Sequence, residues 1–128
     1  WFYFQGYYAE AIDPLAEALR LDSKNSLHYC TLGVVYYRLK KYEQAVEYLQ
    51  KAISIKGPVE CLLSSHYYLG HSFEKLGQIE KGNKIFDEMP KYADGISKWE
   101  EQSKMMLDDY PAMRQGKEDL AEIKNMLQ

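Results

Sequence analysis

The 128-residue chain has little of what usually announces chemistry. Its two cysteines, Cys30 and Cys61, are too few for a disulfide framework, and both fall in segments that read as helix, where buried reduced thiols are common. No stretch approaches the roughly eighteen uninterrupted apolar residues of a membrane span. The N-terminus also lacks the basic start and apolar run of a signal peptide. There is no glycine-rich phosphate loop, serine elbow or nucleophile–base motif. Excess charge of one sign is missing too. The net charge is −3, with seven Lys/Arg against six Asp/Glu in residues 1–56 and nine against thirteen in 57–128. Neither part supplies a clustered basic surface, which argues against nucleic acid and anionic membrane as partners. The chain opens at Trp1 rather than methionine, as expected of a fragment whose targeting signals, if any, lie upstream. Its compartment is therefore not legible, and the cytoplasm stands only as a default.

The ionisable residues do not converge on a reaction. His66 and His71 stand five apart on one expected helix, which sets them about 140° apart around its axis, whereas ligands sharing a helix face stand three or four apart. With Cys61 they make a poor metal site, and no metal or other cofactor is expected. Asp87-Glu88, Glu100-Glu101 and Asp108-Asp109 are adjacent rather than facing carboxylates, as on a solvated helix surface. The chain is read as a non-enzyme.

What the sequence does contain is a repeat. Gly6, Tyr8, Ala11, Leu15 and Ala18 recur 34 residues on as Lys40, Tyr42, Ala45, Leu49 and Ala52, and again 37 further as Gly77, Ile79, Gly82, Phe86 and Met89. The offset of 37 also carries Tyr29, Leu32, Gly33 and Tyr36 onto His66, Leu69, Gly70 and Phe73. Three extra residues thus enter between copies, near Gly57-Pro58-Val59. The pattern Tyr29-x2-Leu32-Gly33-x2-Tyr36 with Ala45-x3-Leu49 resembles the tetratricopeptide repeat over roughly residues 1–90. Three departures stand out: His66 replaces an aromatic, Ser23 stands where proline often closes the unit, and Gly82 replaces a small alanine. Together these are expected to weaken the packing of the third copy.

The resemblance implies an all-α, right-handed solenoid of antiparallel helix pairs. Residues 1–24 hold a partial first repeat, 25–57 a second and 58–92 a third, with two capping helices in 93–128, all in one domain. Periodicity agrees: Tyr29, Leu32, Gly33 and Tyr36 follow the spacing of one buried helical stripe. Gly33 and Gly70 inside that stripe cost roughly 1 kcal/mol each against alanine, so a neighbouring helix is expected to approach closely there. Gly6 and Gly77 fall at turns, where Lys40 is the poorer equivalent. Helices are expected at 1–5, 8–20, 25–39, 42–55, 59–76, 79–91, 95–109 and 112–127, with Pro14 bending the second. The last two carry the stripes Ile96, Trp99, Ser103, Met106, Tyr110 and Leu120, Ile123, Met126, Leu127, and cap the open end of the core.

Twelve tyrosines exceed what a core needs. Tyr8, Tyr29, Tyr36 and Tyr42 occupy packing positions, but a second strip lies one step round each inner helix. It comprises Leu27, Cys30, Val34, Tyr37 and Arg38 on one helix, and Ser64, Tyr67, His71 and Glu74 on the next. In proteins of the resembled family this strip faces a concave groove that binds extended or helical peptides. The implied function is a non-catalytic protein- or peptide-binding scaffold. Alternatives are a structural self-association segment, or an accessory domain of an enzyme whose catalytic part lies elsewhere. The strip's tyrosines can instead pack against the chain's own capping helices. Chaperone-tail clamping is disfavoured, because the strip lacks the Lys and Asn residues that such grooves use. Trp1, Phe2, Tyr3 and Phe4 are expected to pack into a second copy of the chain or under its other helices.

Overall fold

A computed structural model of the chain describes residues 8–55, 57, 59–96 and 111–127. Trp1–Phe4, the helix expected at 1–5, and most of that expected at 95–109, including Trp99, Ser103, Met106 and Tyr110, lie outside the described residues. The described chain is helical throughout and contains no strand. Its α-helices are α1 (Tyr8–Leu21), α2 (Ser26–Arg38), α3 (Tyr42–Ile55), α4 (Val59–Lys75), α5 (Ile79–Glu88) and α6 (Pro111–Met126), with a 3-10 helix over Met89–Gly95. Each of α1 to α4 packs on the next, and α2 also packs on α4. This is an all-α helical-repeat fold: helix hairpins in series, with one helix of each hairpin stacked on its counterpart.

Local chemistry sets the element ends. Asn25 sits in extended backbone before α2, its side-chain oxygen accepting from the Leu27 N–H at 3.0 Å, while its amide nitrogen donates to Asp22 at 3.1 Å. That satisfies one of the donors a helix start leaves open. At the other end the Lys41 N–H reaches the Tyr36 carbonyl at 2.9 Å and the Lys40 N–H reaches that of Tyr37 at 3.0 Å. One repeat later, Gln78 bonds Phe73 at 2.8 Å and Gly77 bonds Glu74 at 3.0 Å in the same pattern. Both are Schellman caps, which need a left-handed residue just past the helix. Gly77 takes φ +79°, and Lys40 is held at +64° although it carries a Cβ. The turn imposes this conformation on Lys40 against its own preference.

The stripe glycines are explained by contact. A Cβ on Gly33 would stand 2.5 Å from two carbons of the Leu49 side chain, and one on Gly70 would stand 2.3 Å from the Phe86 ring. Leu32, Leu49 and Leu69 are fully enclosed around these approaches. Gly82 departs from the expectation that it loosens the third copy: it is buried, and a Cβ there would stand 2.8 Å from the Gly70 carbonyl oxygen. Here α5 approaches the backbone of α4 more closely than alanine allows.

α1 continues through Pro14, which is exposed. Two further details differ from the sequence reading. The helix expected at 79–91 ends at Glu88 and tightens into the 3-10 segment, because Pro90 has no N–H to continue an α-helix. The extra residues between copies also do more than lengthen a loop. α2 and α4 end at equivalent positions, whereas α4 begins at Val59, so residues 59–62 form an additional first turn with no counterpart on α2.

Candidate functional site

The strip residues share one side of the stacked pair α2 and α4, but they differ in access. Leu27 is 53% exposed. Val34, Tyr37, Arg38, Ser64, His71 and Glu74 are half-buried, whereas Cys30 and Tyr67 are buried. Their rings interlock across four helices. Tyr37 meets Tyr42 edge-on at 5.5 Å between centroids and Tyr68 at 5.2 Å. Tyr68 meets Tyr67 at 5.1 Å, Tyr67 meets His71 at 4.6 Å, and His71 meets Phe86 at 5.1 Å. These near-perpendicular pairs place ring edges on ring faces, the arrangement the aromatic quadrupole favours.

The far side of this aromatic row is occupied. α6 packs on α4, burying Ile123 completely and Leu120 to 6% exposure among Tyr67, Tyr68 and Leu69. The Tyr67 hydroxyl donates to Glu122, and the Tyr68 hydroxyl donates to Asp119 at 2.5 Å. Arg38 closes the arrangement by donating to the Tyr68 oxygen at 3.0 Å, with its guanidinium over the same ring. Both phenols have their pKa raised. Burial is the main cause for each, followed by the hydrogen bond to Glu122 for Tyr67 and the charge of Asp119 for Tyr68. Arg38 opposes the shift at Tyr68. The Tyr37 phenol moves the same way, chiefly through burial.

Tyr67, expected on an open groove, is therefore under the chain's own last helix. Sequence reasoning identified Leu120 and Ile123 as part of one stripe but passed over Asp119 and Glu122. Polar residues flanking an apolar stripe are too common on helices for their partners to be read from spacing. The histidines are engaged within the array. The His66 ring is fully buried, with Nδ1 donating to the Leu62 carbonyl at 2.7 Å and Nε2 lying 3.3 Å from Glu88. His71 Nδ1 lies 2.7 Å from Glu74. Among the described residues no three His, Cys, Asp or Glu side chains converge as a metal site, and no helix is long and apolar enough to cross a membrane. On the other side of the array, a cleft of about 670 Å³ opens between α3 and α5, floored by Val46, Phe73 and Ile85. Lys81, Lys84, Glu43 and Glu88 line it with charge of both signs.

Stacked helix hairpins with an aromatic row running from α2 to α5 define a helical-repeat fold. Residues 27–57 match the family described as the tetratricopeptide repeat. That repeat is a protein–protein interaction motif, typically non-catalytic. No curated protein matches the chain.

Proposed function

We propose that the chain is a non-catalytic protein-binding scaffold whose inner strip receives an amphipathic helical segment with acidic residues beside its apolar stripe. The manner in which α6 is seated carries this reading. It buries Leu120 and Ile123 against the tyrosines and offers Asp119 and Glu122 to their hydroxyls. A partner helix with the same chemistry finds the same complement, extended by Leu27, Val34, Tyr37, Arg38, Ser64, His71 and Glu74, with Cys30 and Tyr67 beneath. Buried aromatic contacts of this kind carry most of the affinity of helix-in-groove recognition.

A labelled peptide spanning residues 111–127 tests the reading by fluorescence anisotropy. In the wild-type chain the tethered α6 competes at an effective concentration in the millimolar range. Asp119→Asn with Glu122→Gln weakens that competitor, so the peptide binds the double variant at least about tenfold more tightly than it binds wild type, for a loss of about 1.4 kcal/mol in the tether. Adding Tyr37→Ala or Tyr67→Ala to the double variant then weakens peptide binding by roughly 1–3 kcal/mol at unchanged helix content. Equal affinity of wild type and double variant, or indifference to both tyrosine changes, overturns the proposal.

A further inference from the structure

The additional turn of α4 brings a second sulfur to the first. Cys61 lies in residues 59–62, which have no counterpart on α2, and Cys30 is on α2 in the preceding hairpin. The Cys30 Sγ–H donates toward the Cys61 carbonyl oxygen at 3.9 Å, which sets the first sulfur against the residue that carries the second. Both cysteines are reduced and nearly enclosed, at 6% and 7% exposure. One turn on from Cys61, Ser65 is fully buried and its Oγ has no hydrogen-bond partner. The pocket is thus a dithiol between consecutive hairpins, adjoined by a hydroxyl with unused hydrogen-bonding capacity.

We infer that Cys30 and Cys61 form a redox-modification site, closed to an intramolecular disulfide by low-molecular-weight disulfides and reopened by thiols. The Cys30 thiolate attacks one sulfur of the reagent RSSR, breaking its S–S bond and releasing RS⁻. The Cys61 thiolate then attacks the Cys30 sulfur of the mixed disulfide and releases the second RS⁻. The two thiol protons end on the two released thiolates. The chain has lost two electrons and two protons, and the reagent has gained them. Cys30 is suited to the first step because its hydrogen bond with Cys61 lowers its pKa, against burial and the Asp119 charge, which raise it. Enclosure makes the pair slow to react, since each sulfur meets a reagent only when the array opens locally. Once formed, the bridge fastens the first turn of α4 to α2 and closes the chain between residues 30 and 61, which constrains the unfolded state.

The test is oxidation of the full chain by oxidised glutathione under native conditions, followed by peptide mapping and thermal unfolding. The expected product is a monomer in which the Cys30 and Cys61 peptides are linked, both thiols are lost together, and the unfolding midpoint is raised. Dithiothreitol restores the original midpoint. Cys30→Ser and Cys61→Ser abolish the linked peptide, and each leaves the midpoint unresponsive to oxidant. A chain that bridges in urea but not when folded, or whose bridged form melts below the reduced one, overturns the inference. So does accumulation of the doubly glutathionylated chain without the bridge.

Discussion

Replacing Ile123 by alanine separates the docking of α6 from the stability of the array beneath it. Ile123 is completely enclosed, and the change removes three carbons, about 2.4 kcal/mol at ~0.8 kcal/mol per buried methylene. The helix is held by few contacts. Leu120 and Ile123 contribute about 1.5–3 kcal/mol each. The two tyrosine–carboxylate bonds contribute at the low end of ~1.5–3 kcal/mol, since Glu122 is exposed and water competes for it. Ordering the helix subtracts from this sum. A loss of about 2.4 kcal/mol therefore lowers the docking equilibrium constant about 60-fold. The hairpins stay folded, because Leu32, Leu49 and Leu69 are enclosed by one another's helices. Hydrogen exchange read by mass spectrometry should show the α6 amides losing protection by that factor in Ile123→Ala, with α2 to α4 unchanged. Met126→Ala, at a position 41% exposed, should change little. Equal protection of α6 in wild type and Ile123→Ala refutes the docking argument, and a uniform loss over α2 to α6 shows that α6 is part of the cooperative core.

Three further outcomes follow from the same geometry. Lys40→Gly relieves a left-handed residue bearing a Cβ and should raise stability by about 0.5–1 kcal/mol, while Gly77→Ala should lower it by about 1–2 kcal/mol; denaturant midpoints read both, and equal signs would contradict the cap assignment. Gly82→Ala restores the residue common in the repeat and gains about 1 kcal/mol of helix propensity, but overpacking against the Gly70 carbonyl costs about 1–3 kcal/mol. Its urea midpoint should fall, and a rise would mean that α5 shifts freely on α4. Tyr67 and Tyr68 have folded pKa values raised above the unfolded value of about 10, so the folded state holds their protons more tightly. Their contribution is complete below pH ~10 and is lost as pH rises through the raised folded values. Thermal midpoints should therefore drop steeply above pH ~10 and less steeply in Tyr67→Phe/Tyr68→Phe; parallel curves would exclude these phenols as the cause.

The all-α architecture was legible because it rests on local periodicity. A buried stripe at helical spacing, glycines inside it and turn residues at fixed offsets each state a local requirement, and each was met: Leu32 and Leu69 are enclosed, Gly33 and Gly70 admit a neighbour, and Gly77 takes positive φ. Within the described residues the sequence alone determined where the helices lie, save the end of α5, and that Leu120 and Ile123 of α6 are buried. It left Met126, which is exposed, wrongly in their stripe. The structure decided the rest, one feature within a turn and the others between helices. Lys40 adopts the left-handed conformation because the Schellman hydrogen bonds outweigh its steric cost. Gly82 matters because a carbonyl, not a side chain, is its neighbour. Tyr67 and Tyr68 became the seat of α6, and Cys61 the neighbour of Cys30, because residues more than thirty apart in sequence meet only once the hairpins stack. Spacing along the chain fixes which face a side chain occupies; what covers that face is settled by packing between elements.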